Sequence, residues 1–305
     1  MTVHSHPRVS MRSVQALLLA LLLSAALPAA AQRAPAARTA PPSSPSRAGS
    51  RLSSAPDPRL GLRGAPGAVP GLPARPAAAR KEDEEFQIEV SGLWVEEAYN
   101  QEAGVLQQTV RGAAGEDGWT VEVEQEWPIL SERHQLSLEV EAGGDGVEAV
   151  GAGYRLLVLG GDDEPLTLSP GIAVEYPMDS GDVEFQALLP LAVQVAENWT
   201  ANALGAVNLT VEEEEKREWF AGGSLFWRAR PYANLIVEAV YTRGDSPFPG
   251  DGQVESAYVL PGVQVAVPVG GLHLVPGVGV PVGFGPSRGR AGVMLYLSTE
   301  VGFGR

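Results

Sequence analysis

The chain has 305 residues, a formal net charge of −15 and no cysteine. The missing thiols exclude a disulfide-stapled secreted domain and a lipoprotein anchored through a cysteine at its cleavage site. The acidic balance argues against a nucleic-acid surface, which needs clustered Lys and Arg.

The first element is an export signal. Arg8 and Arg12 precede an apolar stretch, Ala16 to Ala26, and a small-residue run, Pro28-Ala29-Ala30-Ala31. A positive start, a short apolar core and an A-x-A end predict a signal peptide over 1–31, cut after Ala31. The apolar run is shorter than the ~20 residues of a helical span. Residues 32–84 form a linker rich in Ala, Pro, Ser, Gly and Arg, whose first fifty residues contain no aromatic side chain. Such a stretch cannot bury enough apolar area to offset chain entropy and is expected to be disordered. Up to Lys81 it holds nine Lys and Arg against Asp57 alone, whereas residues 82–305 hold eleven against thirty-six Asp and Glu. This asymmetry fits a solvated spacer, or a segment drawn to an envelope polyanion or to the acidic remainder of the chain.

Residues 85–305 alternate. Phe185, Ala187, Leu189, Leu191, Val193 and Val195 interleave with Glu184, Gln186, Leu188, Pro190, Ala192 and Gln194. Successive side chains of an extended chain point to opposite faces, so one face of this segment is apolar and the other mostly small or polar. Turn residues divide the region into twelve predicted strands: 86–98, 104–113, 117–127, 145–158, 166–176, 184–195, 200–210, 217–228, 232–242, 254–267, 271–283 and 289–303. Most exceed the roughly five to six residues of an ordinary soluble strand. They match the ~9–11 of a tilted transmembrane strand. His134 to Glu141 is left over and is read as an extension of the second outer loop. The fold expected is an all-β, antiparallel up-and-down transmembrane barrel of twelve strands, give or take two, with both termini on the periplasmic side.

That topology puts short turns at 112–117, 160–165, 196–199, 229–231 and 268–271 on the periplasmic side. The connections at 100–102, 128–144, 177–182, 211–215, 243–253 and 283–288 fall outside. Pro170, Pro190, Pro261, Pro276 and Pro281 lie within predicted strands, and each requires a bulge, a strand end or a solvated position because proline gives the ladder no donor.

Lipid excludes charge, so the carboxylates are expected to face the lumen. The predicted lumen set is Glu89, Glu122, Glu124, Glu126, Glu175, Glu184, Glu238 and Glu300, with Asn202, Asn208, Gln264 and His273. Trp94, Trp119, Trp127, Trp199, Trp219 and Trp227 fall near strand ends, where an indole favours the headgroup layer. A soluble periplasmic sheet, wet on its Glu face, would alternate in the same way.

Several runs carry a family resemblance: Val147 to Leu156, Leu168-Ser169-Pro170-Gly171, Phe220 to Arg228, Val275 to Pro281 and Leu295 to Phe303. They resemble outer-membrane barrel transporters of the "MetA-pathway of phenol degradation" group, over about residues 86–303. The resemblance implies a channel of about twelve strands for small hydrophobic or aromatic molecules. The basic linker and the Gly304-Arg305 end that follows Phe303 depart from it.

Catalytic patterns are lacking. The histidines are His4, His6, His134 and His273, with no H-E-x-x-H and no G-x-S-x-G. Glu212 to Glu215 lack the turn glycine and spacing of a calcium loop and are read as a solvated outer loop. No enzyme activity, cofactor or metal is expected. The expected partners are outer-membrane lipid, the barrel insertion machinery and an unidentified small solute, with no nucleic acid. The expected function is passive passage through an acidic lumen that favours cations or neutral molecules, the alternatives being a plugged structural or binding barrel and the soluble sheet. Export would yield a mature protein beginning at Gln32 and recovered with the outer membrane. N-terminal sequencing and envelope fractionation check this, and recovery in the soluble periplasm is the contrary result.

Overall fold

The computed structural model describes residues 91–115, 118–161, 164–210, 216–244, 255–269 and 272–302. The proposed leader, the linker and Glu89 lie outside the described residues. Within them the chain forms a closed antiparallel barrel of twelve strands. These are β1 Val105–Ala114, β2 Trp119–Ile129, β3 Ser131–Gly143, β4 Gly146–Leu156, β5 Leu166–Leu168 with Gly171–Pro177, and β6 Glu184–Ala196. They continue as β7 Trp199–Thr210, β8 Lys216–Arg230, β9 Ala233–Arg243, β10 Glu255–Val265 with Val267–Val269, β11 Leu272–Gly279 with Val282–Gly283, and β12 Val293–Gly302. Each strand pairs with the next, and β12 returns to β1 in a register running from Val105↔Gly302 to Ala114↔Val293. Closure leaves no unpaired edge.

The count of twelve was expected, but its membership differs at two places. The described part of the predicted strand 86–98 is not in the wall: residues 91–101 form bends and irregular chain inside the barrel. The leftover 134–141 is the body of β3, paired with both β2 and β4. The alternation of 86–98 resembles that of a wall strand, but the ladder closes without it. Moving one strand into the lumen also transfers a turn. β1 ends at the same rim as β3, β5, β7, β9 and β11. This loop rim opposes the terminal rim, where β1 starts and β2, β4, β6, β8, β10 and β12 end. The 112–117 turn therefore does not share a side with the other short turns, and 100–102 lies at the terminal rim.

The prolines mark where the ladder breaks. Pro170 sits in the gap of β5 and Pro281 in the gap of β11. Pro190 faces the first gap, its carbonyl accepting from Ser169 N–H, and Pro261 faces the second, accepting from Val280 N–H. Prolines thus meet across a common interruption, and fewer ladder bonds are lost than if each broke a separate one.

Alternation sets the two faces. Along β9, Asn234, Ile236, Glu238, Val240 and Thr242 are buried, whereas Leu235 and Val237 are 45% and 50% exposed. Phe185 and Leu189 of β6, Trp219 and Leu225 of β8, and Leu295 of β12 also project outward from the wall. Leu189 lies mid-strand opposite Gly205, and Gln186 faces inward toward Asn208. In a bilayer, Leu189→Arg is expected to lower stability by about 2–4 kcal/mol and Gln186→Arg by far less. Unfolding titrations in liposomes measure both, and equal losses would contradict this facing.

Candidate functional site in the barrel lumen

The lumen has two dissimilar walls. On β1 to β6 the inward residues are charged or polar: Arg111, Glu122, Glu124, Glu126, Gln135, Glu139, Glu141, Arg155, Glu175, Glu184 and Gln186. On β7 to β12 they include two apolar clusters, Phe226, Ile236, Leu260, Met294 and Tyr296, and Leu204, Val240 and Tyr258, set among buried polar residues such as Asn202, Asn234, Glu238 and Gln264. The rule that lipid expels charge assigns the first wall from sequence. On the second wall it assigns residues such as Glu238 and Gln264 but not the apolar clusters between them, because those strands have apolar residues on both faces.

Residues 91–101 cover the apolar wall. Leu93 packs among Phe226, Ile236, Leu260, Met294 and Tyr296, and Val95 among Leu204, Val240 and Tyr258, with Trp94 touching both groups. Leu93 and Val95 are fully buried, which contributes about 1.5–3 kcal/mol each. The wall is shaped for them. A Cβ on Gly262 or Gly279 would stand 2.5 or 2.8 Å from Leu93 Cδ1, and one on Gly222 would stand 2.9 Å from Val95 Cγ2.

Polar anchors hold the same segment. The Glu238 carboxylate accepts from Leu93 N–H at 3.0 Å and Trp94 N–H at 2.8 Å. Gln264 Nε2 donates to Ser91 O at 2.7 Å, and the Ser91 hydroxyl bonds Tyr296 OH. Arg155 donates to Glu97 O at 3.0 Å and to Glu126 at 2.9 Å, and it pairs with Glu96 at 3.5 Å. Ser169 OH donates to Ala98 O, and Gln135 accepts from Gln101 N–H at 2.7 Å. Glu96 is pushed up to about 7, first by removal from water and then by the charge of Glu124, against the pull of Arg155 and Arg111.

The residues expected to line a pore divide by role. Glu122 and Glu124 share Arg111, the latter at 2.9 Å, and Glu126 is held by Arg155 and Gln135. Glu238 and Gln264 anchor the inner segment. Glu175 and Glu184 meet across β5 and β6, Thr210 donates to Glu184 at 3.3 Å, and Gln186 donates to Asn208 at 3.1 Å. Asn202 is buried on the inner wall without a hydrogen-bond partner among the described residues. His273 and Glu300 face each other near the terminal rim, away from this group. Trp94 is a correction: it lies in the lumen against Tyr258, ring centroids 6.2 Å apart, because its segment is not a wall strand. The other tryptophans lie on the outer face. Trp119 and Trp219 are near the loop rim, and Trp127, Trp199 and Trp227 near the terminal rim, the last two stacked at 5.7 Å.

Between the inner segment and the charged wall remains a cavity of about 170 Å³. Its charged lining is Glu96, Glu122, Glu139, Glu175 and Glu184 against Arg111, with Trp94 at one side. The sequence reading passed over Arg111 and Arg155, and with them Glu96, Glu97, Glu139 and Glu141. Part of that signal was present, since Thr109 and Arg111 flank Val110 as Glu122 and Glu124 flank Val123 on β2. The charge-inward rule applies equally to arginine.

No family model matches the chain, and no curated protein matches it. Solved structures with similar backbones include the KdgM porin (TM-score 0.48, 12% identity, covering 65% of this chain and 99% of that one). The NanC porin is similar at TM-score 0.47 and 8% identity, covering 65% and 100%. A bacterial polysaccharide outer membrane secretin follows at TM-score 0.37 and 9% identity, covering 67% and 100%.

Gly92 makes the bend of the inner segment, and a Cβ there would lie 1.8 Å from Val95 O. Gly92→Ala is therefore expected to unseat Leu93 and Trp94 from Glu238. Their amides should then exchange hydrogen ~10-fold faster or more. Unchanged exchange would contradict the described bend.

Proposed function

We propose that this protein is an outer-membrane channel through which small cationic or neutral solutes pass along an acidic wall. The single observation that carries the reading is the cavity between the charged wall and the inner segment, where five carboxylates face one guanidinium. The apolar outer belt supports placement in lipid, since Ile172, Leu189 and Leu295 are each more than half exposed and a soluble sheet would present them to water. Carboxylates within a Debye length of one another set a common negative potential that concentrates cations and repels anions.

The resemblance to phenol-group transporters suggests aromatic solutes instead. The apolar wall that would receive them is occupied by Leu93 and Val95, leaving Trp94 as the aromatic face of the cavity, so the charge of the lining favours cations. A plugged barrel without transport is the second reading, favoured by the same occupancy of the lumen.

Selectivity rests on Glu139, Glu175 and Glu184, which line the cavity on the charged wall. Changing all three to Gln is expected to take a several-fold cation preference to near unity in bilayer reversal-potential measurements. Changing Glu122, Glu124 and Glu126 instead leaves Arg111 and Arg155 short of their partners and is expected to lower stability by several kcal/mol. An unchanged reversal potential in the first triple variant contradicts the selectivity, and no conductance in any protein favours the plugged reading.

A further inference from the structure

We infer that residues 91–101 are a displaceable gate, seated by a glycine socket and by Glu238, that leaves the apolar wall as a unit and widens the path. This rests on the channel reading above and adds its regulation.

The segment belongs to no sheet: its backbone takes no part in the pairing that closes the wall. Its removal breaks no ladder bond, so the barrel persists in both arrangements. What holds it is local. Leu93 enters the hollow left by Gly262, Gly277 and Gly279, where Cβ atoms would stand 2.5, 3.2 and 2.8 Å from its methyl carbons. Any side chain at those positions would fill the socket, so the wall carries glycine where the segment docks.

The chemistry of the seat argues against permanent filling. A permanent filler is best served by apolar contacts throughout, because a buried charge loses its hydration. Here the docked segment buries the Glu238 carboxylate completely, with Leu93 and Trp94 N–H as its donors. It likewise covers Arg155. On departure these groups face the lumen and regain water, while Leu93, Val95 and the wall beneath them lose their apolar contacts. Hydration of charge favours release and apolar burial favours docking. Two opposed terms on one segment are the condition for two arrangements of comparable free energy.

The test uses the full chain reconstituted in planar bilayers. It contains no cysteine, so Val95→Cys with Gly222→Cys introduces a single pair. A Cβ at position 222 lies 2.9 Å from Val95 Cγ2. That placement is compatible with the Cβ separation of about 3.5–4.5 Å that a disulfide requires. The variant is folded and inserted reduced, then oxidised in place, so the same molecules are compared in both states. The expected result is two conductance levels in the wild type and in the reduced pair. The oxidised pair should show the lower level alone, with the upper level falling tenfold or more in occupancy and returning on reduction. Leu93→Asp, which sets a like charge beside Glu238, is expected to raise occupancy of the upper level several-fold. Identical records from the oxidised pair, the reduced pair and Leu93→Asp would overturn the gate and leave the channel standing. Absence of conductance in all of them would overturn the channel reading and the gate with it.

Discussion

A surface that accepts neither charge nor an unpaired backbone group governs this molecule. On the outer face of the wall every peptide must find its partner in a neighbouring strand, which closes the sheet. Every ionised side chain away from the rims must point inward. The two demands act at different scales, the first on topology and the second on register. A slip of one residue would carry Glu122, Glu124 and Glu126 to the outside together, so the strands hold a definite register.

Sending charge inward shifts the difficulty to the lumen. A narrow barrel has little water to offer its carboxylates, and the structure answers with Arg111 and Arg155. Each serves more than one partner at once. Arg111 on β1 holds Glu122 and Glu124 on β2, and Arg155 on β4 joins Glu126 to the backbone of residues 97 and 99. Glu139, Glu175 and Glu184 of β3, β5 and β6 border the space that stays open.

The second wall follows another logic. Its inward apolar clusters would be costly to leave wet, and residues 91–101 cover them with Leu93, Trp94 and Val95. Burial of Leu93 depends on glycines of β10 and β11, the strands whose pairing is interrupted by Pro261, Pro276 and Pro281. Proline breaks and glycine hollows fall on one seam, so the least regular part of the wall is also the part shaped to receive the inner segment.

The sequence by itself determined the strand class and the facing of most strands, because a period of two and the exclusion of charge from lipid are local rules, whereas the count of twelve agrees through two differences of membership that offset each other. Glu175, Glu184 and Glu238 were legible from their neighbours alone, and so were the outward Trp119, Trp199 and Trp219. Only the tertiary structure decided which alternating segments enter the wall. Residues 86–98 and 134–141 both alternate in sequence, and what 134–141 has and the described residues 91–98 lack is a partner on each side, which depends on closure of the whole ladder. The lining of the cavity was decided in the same way. Trp94 and Glu96 reach it because their segment is inside, and the pairing of Arg155 with Glu126 spans strands that meet only when β2, β3 and β4 lie side by side. Contacts between residues distant in the chain follow from the assembled barrel, and the local pattern of each strand carries no record of them.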